Sequence, residues 1–83
     1  MTTIYIFQTG EWDRRTIKMV SSDVKLISNL YASKTNKKDY ISAYDSPNVD
    51  IWENNEYIGC FHEFEKNEGK IIKALSKRAM KIN

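Results

Sequence analysis

Residues 49–61 read V-D-I-W-E-N-N-E-Y-I-G-C-F, two runs of β-branched and aromatic side chains around Asn54-Asn55. Asparagine tolerates the positive φ that a two-residue turn demands, so this stretch predicts a β-hairpin. Successive strand side chains point to opposite faces. Val49, Ile51 and Glu53 are therefore expected on one face, with Asp50 and Trp52 on the other. Beyond the turn, the same alternation sets Ile58 and Cys60 against Tyr57, Gly59 and Phe61.

Working outward, residues 45–48 (DSPN) form a turn, because proline fixes φ and its small polar neighbours accept turn geometry. Residues 40–44 (YISAY) suit a further strand. Nearer the N-terminus, residues 2–9 (TTIYIFQT) have the composition of a strand buried on both faces. Residues 14–21 alternate Thr16, Lys18 and Val20 against Ile17 and Met19, which suits an antiparallel partner exposed on one face. Ser21 or Ser22 then caps a helix with Asp23 in its first turn, where the helix dipole favours negative charge. Val24, Ile27 and Tyr31 share a side that Leu26 and Leu30 widen, and the helix ends near Ser33 or Lys34.

A second helix is expected beyond Phe61. At 100° per residue, Phe64, Ile71, Leu75, Ala79 and Ile82 fall on one side. Lys66, Lys70, Lys73, Lys77 and Lys81 fall on the other. Gly69 is a poor helix former, so the regular part starts with Asn67 as cap. The fold class is α+β, a small antiparallel sheet packed with two helices. Its order is β-β-α-β-β-β-α, or β-β-α-β-β-α if residues 40–44 are irregular. No internal repeat, linker or low-complexity segment is visible.

The chain has 83 residues, 41% hydrophobic and 29% charged, which reads as one globular domain over 1–83. A chain this short buries only about 60–65% of its unfolded surface, so a partner or a second copy, as in a homodimer, stands to add stability. One cysteine makes no internal disulfide, and no signal or membrane-spanning pattern is present, so the expected location is cytoplasmic. The net charge of +2 is uneven: residues 1–38 carry seven basic and three acidic side chains, 39–65 carry seven acidic and none basic, and 66–83 carry six basic and one acidic. This pattern fits internal charge pairing as well as separate patches for two kinds of partner.

Little in the chain dictates chemistry. Cys60 and His62 share a strand face, but no orienting Asn or Asp accompanies them and free cysteine in an apolar strand is ordinarily core, so no catalytic residue is assigned. Two such ligands are too few for zinc, even with Glu63 and Glu65 nearby, and no metal or other cofactor is expected. Three glycines, at 10, 59 and 69, write no phosphate-binding loop. Two surfaces remain. Trp12, Arg14, Arg15 and Trp52 combine the residue types enriched at protein interfaces. Lys70, Lys73, Lys77, Arg78 and Lys81 form a basic helix face that suits RNA phosphates, although a surface helix needs a polar face in any case.

Residues 17–32, IKMVSSDVKLISNLYA, resemble the second strand and first helix of small T-even-type bacteriophage antitoxins that neutralise host RNA-cleaving toxins. Ile17, Met19, Asp23, Val24, Tyr31 and Ala32 carry the resemblance. It implies a non-enzymatic inhibitor that binds a larger host protein, a toxin or defence factor, and it transfers no contact residue. The expectation from sequence is thus a small binding protein that covers a partner's working surface, with an RNA-binding module, alone or co-binding RNA with the target, as the alternative.

Overall fold

The computed structural model describes residues 2–11, 14–36, 46–63 and 65–80, and of residues 11, 14 and 77–80 the backbone alone. Six elements follow one another: β1 (Thr3–Glu11), β2 (Arg14–Ser21), α1 (Val24–Thr35), β3 (Pro47–Glu53), β4 (Glu56–Phe61) and α2 (Glu68–Met80). The strand expected at 40–44 lies outside the described residues. The strands form one antiparallel sheet in the order β2-β1-β3-β4.

The hairpin at 49–61 closes as read. Asn54 and Asn55 take φ of 51° and 69°, the left-handed pair that a two-residue turn between twisted strands requires. The turn is tied to the start of β1, where the Asn54 N–H donates to the Thr2 carbonyl (3.0 Å) and the Thr2 N–H to Asn54 Oδ1 (3.2 Å).

Both helices pack on one face of the sheet. Tyr5, Phe7, Val49, Ile51 and Phe61 from the strands meet Ile27, Tyr31, Ala32, Ile71 and Leu75 from the helices in a single core. Here β1 departs from expectation: Tyr5, Phe7 and Thr9 are buried, whereas Ile4, Ile6 and Gln8 are half-buried on the uncovered side. Leu26, expected on the packing side of α1, is 39% exposed.

Asp23 caps α1, in place of Ser21 or Ser22. Its Oδ1 accepts from the N–H groups of Lys25 (3.0 Å) and Leu26 (3.3 Å), while Ser21 Oγ accepts from the Asp23 N–H. Asn67 caps α2 as expected, its Oδ1 accepting from the Lys70 N–H at 3.0 Å. The far end of α1 grips the chain between β4 and α2. The Tyr31 hydroxyl donates to the Glu63 carbonyl, Thr35 Oγ1 to that of Glu65 (2.7 Å), and Asn36 Nδ2 to that of Lys66 (2.9 Å). Tyr31 also contacts the Phe61 ring at 5.0 Å and the Phe7 ring at 6.4 Å between centroids.

The plan consists of two successive ββα halves, although no repeat is legible in the sequence. Asp23 and Asn67 occupy matching caps, and Ile27 with Tyr31 in α1 match Ile71 with Leu75 in α2. Each edge strand holds one extra residue at a matching place. Met19 pairs with Phe7 but Ile17 with Gln8, leaving Lys18 over; Gly59 pairs with Ile51 but Tyr57 with Trp52, leaving Ile58 over. Such bulges re-aim the side chains on one flank of the strand. Gly59, at φ 152°, supplies the backbone freedom in β4.

The fold yields two stability predictions. Replacing Tyr31 by Phe strands the Glu63 carbonyl and is expected to cost about 1–2 kcal/mol, and Tyr31→Ala about 3–5 kcal/mol, in urea unfolding. At the turn, Asn55→Val is expected to cost about 1–2 kcal/mol while Asn55→Gly is neutral or stabilising, because only the β-branched residue resists positive φ.

Candidate functional site

The bulges decide what the uncovered sheet face displays. Strict alternation would turn Ile17 inward with Met19, and Tyr57 inward with Gly59 and Phe61. The extra residues Lys18 and Ile58 instead place Ile17 beside Gln8 and Tyr57 beside Trp52, on the outer face. Ile17 is 60% exposed, Val20 54%, Tyr57 52% and Trp52 37%. The tryptophan and tyrosine rings meet edge to face, with centroids 5.7 Å apart and planes at 63°.

Rows across the sheet fix the layout. Val20, Ile6, Asp50 and Cys60 stand side by side on the four strands, and Ile4, Trp52 and Tyr57 form the next row on β1, β3 and β4. Ile4 and Ile6 floor a shallow depression of about 520 Å³, with Trp52 as one wall and Thr2, Asn54 and Asn55 at the rim. Next to it, the Asp50 carboxylate accepts from Gln8 Nε2 at 2.6 Å and from Asn48 Nδ2 at 3.0 Å. Those two bonds tie the carboxylate to its neighbours on β1 and β3, beside the half-buried isoleucines.

Two tyrosines have perturbed acidity. Burial pushes the Tyr57 phenol above its ordinary value of 10.0; the hydrogen bond with Cys60 and the charge of Asp50 act in the same direction, and Arg15 opposes them. Burial likewise raises Tyr5, with the negative charge of Glu53 second. Cys60 therefore has a phenol as side-chain partner, and His62 lies exposed one residue past the strand. Among the described residues, no three His, Cys, Asp or Glu side chains come together as a metal-ion group, and no helix is long and apolar enough to cross a membrane.

Of the residues singled out in the sequence, Arg15 and Trp52 share the uncovered face. Arg15 is half-buried opposite Gly10, and Trp52 lies opposite Ile4. The backbone of Arg14 pairs with Glu11, its side chain being outside the described residues, as is Trp12. Lys70 and Lys73 are exposed on α2, which packs on the other side of the sheet. Lys77 and Arg78 continue that helix without described side chains, and Lys81 lies outside the described residues. Ile4, Ile6, Ile17 and Val20 were not singled out as surface. Gly59 was the one signal, since a strand glycine often marks a bulge; nothing comparable marks Lys18.

No family model, curated protein or solved structure matches the chain.

The direction of the two tyrosine shifts makes stability depend on pH at the alkaline end. A neutral phenol favoured by the fold contributes stability that is complete below pH 10 and lost as pH rises through the folded value. Unfolding at a series of pH values is expected to show stability falling above pH 10, with a shallower fall in Tyr5→Phe and Tyr57→Phe.

Proposed function

We propose that this chain is a non-enzymatic binding protein that lays the uncovered face of its sheet over the working surface of a larger protein. One observation carries the reading: paired bulges gather Ile17, Val20, Trp52 and Tyr57 onto one solvent-facing side, over a floor of Ile4 and Ile6. Contiguous apolar area of this kind is uncommon on monomeric proteins except at interaction sites. Trp52 and Arg15 are the anchors, being residue types that concentrate binding energy.

The antitoxin resemblance supports an RNA-cleaving host toxin or defence factor as the target class. Of the six residues that carry it, Asp23 caps α1, Tyr31 and Ala32 are buried, and Met19 and Val24 pack against the core. Asp23 and Ile17 are exposed, and of the six Ile17 alone stands on the uncovered sheet face. In mechanism, such a protein excludes the target's substrate by occupying the surface the substrate needs. The lysines of α2 point to a separate surface, which suits RNA only if binding proves strongly salt-dependent.

The test is capture of a defined target from host extract, with and without nuclease, by wild type and three variants. Trp52→Ala and Ile17→Asp are each expected to weaken capture about 30-fold or more, the effect of losing an interface anchor. Lys70→Glu with Lys73→Glu should leave it unchanged, and moderate salt should barely alter it. Retention by the first two variants, or loss after nuclease treatment, rejects the reading in favour of the RNA-binding one.

A further inference from the structure

We infer that the turn end of the helix-covered face binds a divalent cation of the calcium type between the carboxylates of Glu53 and Glu56. The inference is independent of the docking surface, which lies on the opposite face of the sheet.

Residues 39–65 hold seven acidic side chains and no basic one, an excess that the docking mechanism leaves unused. Two of those carboxylates flank the Asn54-Asn55 turn. Glu53 pairs with Glu56 on β4 and with Thr3 on β1. Paired residues point to the same side of a sheet, so one row across three strands carries a hydroxyl and two carboxylates. Glu53 alternates in step with Val49 and Ile51, which places that row on the side of the core.

The row is electrostatically incomplete. Glu53 is only 3% exposed, and its Oε2 has no hydrogen-bond partner among the described residues. Burying a carboxylate without a compensating charge is costly, and a like charge directly opposite adds to that cost. The opposing Glu56 is exposed, so it joins the buried oxygen to solvent. On β1, two residues from Thr3, the Tyr5 phenol is raised first by burial and then by the charge of Glu53, which therefore extends over the inner part of the same rim. A cation held between the two carboxylates offsets both the burial and the repulsion.

The donors select the ion. Paired residues on antiparallel strands have Cβ atoms about 4.5–5.5 Å apart. Calcium accepts carboxylate oxygens at about 2.3–2.6 Å, so one ion spans two such glutamates. Every donor is an oxygen, Thr3 Oγ1 being the neutral one, and this set suits a hard cation and disfavours zinc. Magnesium demands near-regular octahedral geometry and sheds water reluctantly, which a row fixed by strand pairing serves less well. Two carboxylates are few for calcium, so water entering beside Glu56 completes the shell and the dissociation constant is about 1 mM. Occupancy ties β3 to β4 next to the turn and stabilises the fold.

The test is thermal unfolding of the purified full chain in calcium chloride up to about 10 mM, with sodium chloride and magnesium chloride at matched ionic strength as controls. At about ten times the dissociation constant the folding equilibrium constant rises about tenfold, which raises Tm by about 5 °C or more. Glu53→Gln and Glu56→Gln are each expected to abolish that rise. Glu56 is exposed, so its variant reports on the ion even where Glu53→Gln fails to fold. A wild type that gains no more from calcium than from sodium or magnesium overturns the inference, as does a folded glutamine variant that keeps the full rise.

Discussion

A four-stranded sheet has two faces, and the helices among the described residues cover one. Strands about 4.8 Å apart make a sheet roughly as wide as two helices of about 10 Å lying side by side. Helices α1 and α2 fill that width on the side of Tyr5, Phe7, Val49, Ile51 and Phe61, all at most 5% exposed. Burial of these rings and aliphatic chains is the largest favourable term in a chain this size. The other face consequently takes whatever the edge strands turn toward it.

What they turn toward it follows from two single-residue insertions. A bulge breaks the period of two, so residues on its far side change face. Without the bulge at Lys18, Ile17 would follow Met19 toward the core; without the bulge at Ile58, Tyr57 would follow Gly59 and Phe61. With them, the outer face gains an isoleucine and a tyrosine beside Val20 and Trp52. Bulges also disturb the hydrogen-bonding rims of β2 and β4, which blunts edge-to-edge pairing with other chains. The same two devices thus discourage growth of the sheet sideways and set apolar side chains on its outer face.

The internal two-fold plan places one bulge on each outer strand and one capped helix on each half. Tyr31 and Leu75 stand in matching places yet differ in kind. Only Tyr31 has a hydroxyl, and it reaches the Glu63 carbonyl, where the chain leaves β4 for α2. With Thr35 and Asn36 holding the carbonyls of Glu65 and Lys66, α1 fixes the path along which α2 arrives. Polar bonds at the helix end therefore settle a position that apolar packing alone would leave adjustable.

The sequence by itself determined the elements that local chemistry dictates. The Asn54-Asn55 turn, the alternation of Val49, Ile51 and Glu53 against Asp50 and Trp52, the Asn67 cap and the buried Ile71 and Leu75 were legible because each depends on neighbours a few residues away. Arg15 and Trp52 were legible as interface residue types, though not as occupants of one face. Tertiary structure alone decided that β1 lies in the sheet interior with a single covered side, that Asp23 caps α1 in place of a serine, and that Ile17 and Tyr57 look outward. Pairing register is a property of two strands at once, and one inserted residue reverses a side chain's face without changing the composition from which that face is read.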